Sequence, residues 1–207
     1  IFTARSVFGS SNAEMKVNAF VNETSKTTHY HHGESSLAGT VTKMAQEFPG
    51  ARHLPFLRPQ GQFGTRSNGG KDSADPRYTF TQLNKRLCFA MFPKEDDFLL
   101  KYVFDDGERC EPLYYVPTIP LSIMEHMELP ATGWKIKMWG RDWKEVINNV
   151  RDLITNKIKK ARPMKIWLKD NIGEIREYKG RKYSVGKYVY DEDKNQIVVT
   201  ELPLGKY

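Results

Sequence analysis

The chain has 207 residues, 39% of them hydrophobic and 12% aromatic, which suffices for one or two folded domains and argues against a disordered protein. Its formal net charge of +7 favours an anionic partner. No run approaches the ~20 consecutive apolar residues of a membrane span, and the first residues lack the order of a signal peptide. The two cysteines, Cys88 and Cys110, form no disulfide framework and are typical of a reducing compartment. Because an initiator methionine is missing, we expect a piece of a larger protein.

Two helices are predicted in the N-terminal half. Residues 35–48 carry apolar side chains at helical spacing, and a serine at position 35 or 36 can cap the first turn. A second helical pattern extends from about Thr81 to Phe92, and Pro93 ends it. Short helices and small strands on a basic chain are compatible with a winged-helix module, although the pattern alone does not single that fold out.

The middle of the chain predicts a hairpin followed by a change of pattern. Residues 98–104 predict a strand, and Asp106-Gly107 is a strong turn signal leading toward a second strand at residues 114–116. A domain boundary near Gly107 would separate a first domain, residues 1–107, from a second, residues 108–207. We therefore predict an α+β protein in two parts.

The C-terminal half predicts one long helix and then β-structure. Residues 142–158 form the clearest helix, with an apolar stripe on one face and a capping box made by Asp142 and Glu145. Beyond Pro163 the pattern alternates, and it predicts strands at residues 165–169, 187–190 and 196–200. Between Lys157 and Lys187, a segment termed here the basic block, eleven lysines or arginines accompany three acidic residues. Such a segment could neutralise several phosphates, or it could be an ordinary solvated surface.

The most distinctive segment is residues 61–78, termed here the tyrosine loop. Its glycines at positions 61, 64, 69 and 70 would let the backbone pass close to a ligand. Arg66, Lys71 and Arg77 add positive charge, and Tyr78 at the end is a side chain capable of nucleophilic attack. These features suit an anionic polymer, whereas a merely polar surface loop is the alternative interpretation.

Several motifs of the chain occur in the order and spacing of one known family. They are Tyr30-His-His-Gly-Glu34, Gly61-Gln-Phe-Gly-Thr-Arg66, Gly69-Gly-Lys-Asp72, Pro76-Arg-Tyr78, Tyr115-Val-Pro-Thr-Ile-Pro120, Thr132-Gly-Trp134 and Glu201-Leu-Pro203. Together they resemble the active-site region of type IIA DNA topoisomerases of the eukaryotic and large-DNA-virus branch. The resemblance extends from about Lys16 to the last residue. Departures from the cellular sequences favour a viral member, similar to the enzyme of an asfarvirus.

The resemblance implies a fold and a set of roles. We expect a winged-helix (CAP-like) DNA-binding domain that carries Tyr78, followed by a partial tower domain of mixed α/β structure. Tyr78 would form a transient 5′-phosphotyrosyl link, and Arg77 and His32 would act at the same phosphate. The expected contacts with DNA come from Lys16, His31, Arg66 and Lys71.

A DNA-bending wedge is expected at Pro130. The family places an isoleucine four residues before the tryptophan of its Gly-Trp motif, and Pro130 occupies that position here. Proline is a known apolar wedge at kinked base steps, so bending by this means stays open.

The resemblance also implies partners and cofactors. The partner is double-stranded DNA, and the full-length enzyme would be a homodimer. Mg²⁺ and ATP would be bound by domains that this chain lacks, so the fragment alone is expected to be inactive. The expected location is the host cytoplasm for a viral enzyme and the nucleus for a cellular one.

Other interpretations remain open at this stage. The basic segments could belong to a non-catalytic DNA-binding module. A tyrosine recombinase or type IB enzyme also forms a phosphotyrosine, but no histidine here has arginine or lysine three positions later, as those enzymes usually show. His29, His31 and His32 could hold a metal ion, although no cysteine or carboxylate with ligand spacing accompanies them in the sequence.

Overall fold

The computed structural model describes residues 1–206. The chain forms two compact units. The first consists of Ile1–Glu47, Leu54–Gly64 and Gly70–Leu121, and the second consists of Phe48–His53, Thr65–Gly69 and the residues from Ser122 onward. The predicted boundary at residue 107 falls inside a hairpin of the first unit, and the domain limits 1–107 and 108–207 stay a prediction.

The first unit combines helices with a small antiparallel sheet. Its helices are α1 (Phe2–Phe8), α2 (Val17–Thr27), α3 (Glu34–Ala45) and α4 (Lys85–Met91), with a 3₁₀ helix at Lys94–Leu99. Its strands are β1 (Met15–Lys16), β2 (Leu57–Gln60), β3 (Phe80–Leu83), β4 (Tyr102–Asp105) and β5 (Glu108–Pro112). β3 lies between β1 and β2, and β4 and β5 form a separate hairpin.

A single apolar core holds the first unit together. Phe8 of α1 and Phe20 of α2 are nearly fully buried, and their ring centroids lie 5.2 Å apart. Val17, Val41 and Leu57 close the core from α2, α3 and β2. Burying side chains of this size contributes about 1.5–3 kcal/mol each. The core therefore fixes the sheet on which the tyrosine loop begins and ends.

Within residues 1–206, the second unit consists of one long helix, a short helix, a 3₁₀ helix at Arg66–Asn68 and three hairpins. Its helices are the short α5 (Leu121–Met124), which begins at the end of the first unit, and α6 (Trp143–Ile154). Its strands are β6 (Met127–Ala131), β7 (Trp134–Met138), β8 (Glu174–Tyr178), β9 (Arg181–Val185), β10 (Lys187–Asp191) and β11 (Gln196–Glu201). β6 pairs with β7, β8 pairs with β9, and β10 pairs with β11, each in an antiparallel hairpin. No helix within residues 1–206 is long and apolar enough to span a membrane.

Several sequence predictions are confirmed. The helix predicted at 35–48 is α3, although it begins at Glu34 after Gly33 rather than after a serine cap. The turn at Asp106-Gly107 joins β4 to β5, with both residues at positive φ. α6 begins after Asp142, whose carboxylate accepts hydrogen bonds from the backbone N–H groups of Lys144 and Glu145. Strands at 187–190 and 196–200 are also present.

Other predictions were wrong in their limits. Residues 80–83 form β3 rather than the first turn of a helix, because Thr81 and Leu83 are buried with a period of two and Asn84 caps α4. The strand predicted at 98–104 begins only at Tyr102, and residues 114–116 are irregular. Of residues 165–169, Ile166 alone pairs, in a bridge with Arg141. The capping box is incomplete, since the Glu145 carboxylate accepts from the backbone of Lys165 instead.

Candidate functional site

The side chain of Tyr78 projects from a firmly held backbone. Its side chain is 71% exposed, whereas the next residue, Thr79, is buried at the start of the sheet. The Tyr78 N–H donates to the carbonyl of Asp75 at 2.9 Å and closes a tight turn. The N–H groups of Val17 and Asn18, at the start of α2, donate to Thr79 and Pro76 on either side. The phenol is thus open to a large ligand while its backbone is held from both directions.

Arg77 is held beside Tyr78 by an acidic neighbour. Its guanidinium lies 5.7 Å from the centroid of the Tyr78 ring. It donates to both carboxylate oxygens of Asp75, at 3.0 and 3.3 Å. The hydrogen bonds from Arg77 lower the pKa of Asp75, and the same contact raises the pKa of Arg77. Since both side chains are exposed, an incoming phosphate can compete with Asp75 for this cation.

Lys16 lies next to the end of the tyrosine loop. It pairs with Phe80 across β1 and β3, two residues after Tyr78, and its ammonium lies 5.9 Å from the centroid of the Phe80 ring. The side chain is exposed. Lys16 thus lies at the end of the sheet where the chain enters β3 directly after Arg77 and Tyr78, as expected for a site that binds an anion.

The histidine motif contacts the β4–β5 hairpin. His29 Nδ1 and His31 Nε2 each lie 3.2 Å from the same carboxylate oxygen of Asp105, and His29 Nε2 lies 3.4 Å from Glu108. His32 is exposed, and its ring packs edge-on against Tyr30 at 5.3 Å. Within residues 1–206, no hydrogen bond joins His32 to Tyr78, so its expected role at the phosphate stays a prediction.

The carboxylates beside the histidines were not expected from the sequence, because Asp105 and Glu108 lie about 75 residues farther along the chain. Only the Asp-Gly turn signal, which places both residues at strand ends, hinted at their position. In the part of the chain that the structure describes, no three His, Cys, Asp or Glu side chains are arranged to hold a metal ion. Cys88 and Cys110 are free and buried.

The glycines of the tyrosine loop let the chain approach itself. Gly64 and Gly70 both have positive φ, and a Cβ on Gly64 would lie 2.6 Å from the backbone of Gly70. Residues 63–64 and Gly70, where the two sides of the loop meet, are termed here the neck. There the side-chain amide of Gln46, which follows α3, donates to the carbonyls of Phe63 and Gly70 at 2.8 and 3.1 Å. The predicted purpose of these glycines was an approach to a ligand. At Gly64 and Gly70 the close approach is instead to the protein's own backbone and to Gln46.

Arg66 and Lys71 have different surroundings. Lys71 is exposed on the return side of the neck. The guanidinium of Arg66 forms an ion pair with Glu201 and also donates to the carbonyl of Leu202 at 3.3 Å. The hydrogen bond from Arg66 lowers the pKa of the Glu201 carboxyl. Sequence reasoning missed this pair, although Glu201 opens one of the family motifs.

Pro130 lies near the tip of an exposed ribbon. It sits on β6 opposite Lys135 of β7, and Gly133 turns the chain with positive φ. Pro130, Leu129 and Trp134 are all exposed there. The ribbon thus presents apolar side chains on a narrow, two-stranded support, which is a geometry suited to a wedge.

The basic block lies mainly on the surface of the second unit. Lys157, Lys159 and Lys160 are exposed directly after α6. Two of its arginines are engaged by acids, Arg162 by Asp152 at 2.7 Å and Arg176 by its neighbour Glu174 at 3.0 Å. The net positive surface is therefore carried mostly by lysines.

Comparison with known proteins agrees with the motifs. Residues 1–207 match the sequence profile that describes the A-subunit family of DNA gyrase/topoisomerase IV. The chain is 39% identical over 211 residues to DNA topoisomerase 2 of African swine fever virus (isolate Tick/South Africa/Pretoriuskop Pr4/1996), covering 95% of this chain and 18% of the viral protein. It is 39% identical over 191 residues to DNA topoisomerase 2-beta of Homo sapiens, covering 92% of this chain and 12% of the human protein.

A solved structure gives the same result for the fold. The crystal structure of the Plasmodium falciparum topoisomerase II DNA-binding, cleavage and re-ligation domain matches with a TM-score of 0.89 and 35% sequence identity, over 100% of this chain and 28% of that chain. The predicted α+β class, a winged-helix domain followed along the chain by a mixed α/β tower domain, is confirmed. The chain spans only 12–28% of the length of these relatives. The resemblance inferred from the motifs is thus confirmed, and the chain belongs to the A-subunit family of DNA gyrase/topoisomerase IV.

Proposed function

We propose that this chain is part of the DNA cleavage and re-ligation core of a type IIA DNA topoisomerase. The observation that carries the proposal is the exposed Tyr78 with Arg77 beside it, on a rigid turn. The chain also matches, over its whole length, a topoisomerase II domain named for DNA binding, cleavage and re-ligation. In the complete protein, a second duplex would pass through the double-strand break, so that DNA is relaxed or decatenated.

The proposed chemistry is a reversible phosphoryl transfer. The Tyr78 hydroxyl loses its proton and its oxygen attacks a DNA phosphorus, forming a 5′-phosphotyrosyl bond as the bond to the 3′ oxygen breaks. The 3′ oxygen takes up a proton and leaves as a hydroxyl. Re-ligation is the reverse reaction, and it needs no external energy because the tyrosyl ester retains much of the phosphodiester bond energy. Reversibility is what strand passage requires.

Arg77 and His32 are the proposed assistants at this phosphate. The Arg77 guanidinium can exchange its exposed partner Asp75 for the phosphate and stabilise the charge that develops in the transition state. His32 would donate a hydrogen bond or transfer the proton. Lys16, Lys71 and His31, all exposed, would contact the DNA backbone, and the exposed Pro130 would wedge between bases.

Mg²⁺ does not fit the residues present, and the sequence has no Gly-x-x-x-x-Gly-Lys-[Ser/Thr] motif for ATP. Asp75, the acid closest in sequence to Tyr78, is engaged by Arg77, and residues 1–206 offer no cluster of metal ligands. We therefore place both cofactors on other parts of the complete enzyme, which would act as a homodimer. The proposed location is the host cytoplasm for a viral enzyme and the nucleus for a cellular one.

The decisive experiment replaces the nucleophile in the complete protein that contains this chain. With Mg²⁺ and supercoiled DNA, trapping with detergent should give a protein–DNA adduct in the wild type and none in Tyr78→Phe. Tyr188→Phe is the matched control, because Tyr188 has the same exposed fraction of 71%. It should form the adduct at the wild-type level. An adduct that persists in Tyr78→Phe would refute the assignment, whereas DNA binding without any adduct in the wild type would favour the non-catalytic DNA-binding module.

A further inference from the structure

The segment Thr65–Gly69, within the tyrosine loop, is fastened by its arginine. Arg66 reaches Glu201 at the end of β11 and the carbonyl of Leu202, which lie more than 130 residues farther along the chain. The Glu201 side chain is only 4% exposed, and its second oxygen accepts a hydrogen bond from the backbone N–H of Ile172 at 3.3 Å. Both oxygens of a buried carboxylate therefore have a partner, and within residues 1–206 Arg66 is the cation that forms an ion pair with it.

The two ends of the same segment are also fixed. Gln46 joins the carbonyls of Phe63 and Gly70, so the chain leaves and returns at one neck. Beyond the neck, the N–H of Ala74 donates to the carbonyl of Gln62 at 2.9 Å, and the turn that carries Tyr78 follows at once. Arg66 and Tyr78 therefore belong to one short stretch of chain, which is hydrogen-bonded at Gly70 and Ala74.

The burial of Glu201 argues against a role for Arg66 in holding DNA. To bind a phosphate with its whole guanidinium, Arg66 would have to give up its ion pair with Glu201, whose side chain is 4% exposed with Arg66 in place, and breaking such a pair is unfavourable. Lys71, in the same loop, is exposed and can bind a phosphate without such a loss. The two cations are therefore suited to different tasks.

We propose that Arg66 and Glu201 form a positioning pair that holds the tyrosine loop in the geometry needed for strand cleavage, and that Arg66 is not a phosphate contact. This inference rests on the proposed function of Tyr78. It assigns to Glu201, a residue far from Tyr78 in sequence, an effect on the rate of cleavage. It also replaces the role that the sequence motif suggested for Arg66.

The test measures two quantities in the complete protein, using a duplex oligonucleotide with Mg²⁺. The first is the rate at which the Tyr78 adduct forms at saturating DNA. The second is the slope of log affinity against log salt concentration, which changes by about 0.9 for each phosphate that the protein no longer neutralises. The variants are Arg66→Ala, Glu201→Gln, their double mutant and, as a matched control, Lys71→Ala.

A positioning pair predicts a distinct pattern. Arg66→Ala and Glu201→Gln should each slow adduct formation, by up to about 10²-fold for a misplaced reacting group. The double mutant should be no slower than the slower single variant, because the two residues act as one unit. Both single variants should keep the wild-type salt slope. Lys71→Ala, which removes a proposed phosphate contact, should instead lower the slope.

If Arg66→Ala does not fold, Arg66→Lys distinguishes a positioning pair from a phosphate contact. Lysine keeps the charge but loses the forked geometry, so a positioning pair predicts a slow adduct and a phosphate contact predicts a near-normal one. A lower salt slope in Arg66→Ala with normal cleavage in Glu201→Gln would overturn the inference, as would wild-type rates in both. Absence of an adduct in the wild type would instead refute the function proposed for Tyr78.

Discussion

Replacement of Gly64 by alanine should destabilise the first unit by more than its backbone conformation alone explains. Gly64 has a φ of +98°, a region that residues with a Cβ rarely adopt. An alanine Cβ would also lie 2.6 Å from both the Cα and the carbonyl oxygen of Gly70. These atoms are backbone, held by the hydrogen bond from Gln46, so they cannot move aside as a flexible side chain could.

The expected loss can be divided between the two causes. A left-handed conformation costs an L-residue about 1–2 kcal/mol. Forcing extra volume into a packed site adds about 1–3 kcal/mol. The reduced entropy of the unfolded alanine chain returns only about 0.4–1 kcal/mol. We therefore expect Gly64→Ala to lower the free energy of unfolding by about 1–5 kcal/mol.

The matched control is Gly61→Ala. Gly61 has a similar φ of +102°, but its added Cβ would meet the Thr79 methyl at 3.6 Å, an ordinary contact. Urea unfolding of both variants, followed by the helical circular dichroism signal to which α1–α4 of the first unit contribute, should show Gly64→Ala to be less stable by about 1–3 kcal/mol, the part due to the clash. Equal stabilities would show that the neck opens without cost, and the account of a rigid loop would then be refuted.

Three further predictions concern charge and capping. Arg66 holds the pKa of Glu201 below its ordinary value of about 4.5, so their pairing should stabilise the fold above that pH and lose its effect as the pH falls through the lowered pKa. Glu201→Gln should accordingly reduce stability at pH 7 and differ little from wild type at the lowest pH of a urea titration series. Asp142→Ala removes the cap of α6 and should cost about 1 kcal/mol in thermal unfolding; an unchanged midpoint would contradict that role. Replacing Lys159 and Lys160 by glutamine should lower the salt slope of DNA binding by about 0.9 for each phosphate that these lysines neutralise, whereas an unchanged slope would show that the basic block is only a solvated surface.

The elements that the sequence predicted well are those specified by neighbouring residues. The turn between β4 and β5 needs positive φ at two successive positions, and Asp106-Gly107 meets that need locally. α6 was found because Asp142 caps the first turn and its apolar side chains repeat with the helical period. The position of Tyr78 at the end of an exposed loop likewise followed from the adjacent Pro76 and Arg77.

The failures came where distant residues decide the structure. Residues 80–83 carry apolar side chains that fit a helical stripe as well as a strand, and their pairing with β1 and β2 selects the strand. The partner of Arg66 is separated from it by 135 positions, and the partners of His29 and His31 by more than 70. Local composition presents these side chains as free cations or metal ligands. Packing alone reveals that carboxylates already engage Arg66, His29 and His31.

The tyrosine loop combines the exposed side chain of Tyr78 with a backbone that has little freedom to move. Tyr78 is 71% exposed, yet Thr79 and Thr81 directly after it are almost fully buried. A reacting group must be held within about 0.5 Å of its productive position, and elements with regular backbone hydrogen bonds do so better than free loops. An enzyme that must reseal the strand that it cuts needs the same geometry twice, for attack and for return. Under the proposed function, this requirement would account for a backbone around Tyr78 that is tied to α2 and, through the neck, to Gln46, while the phenol itself stays exposed.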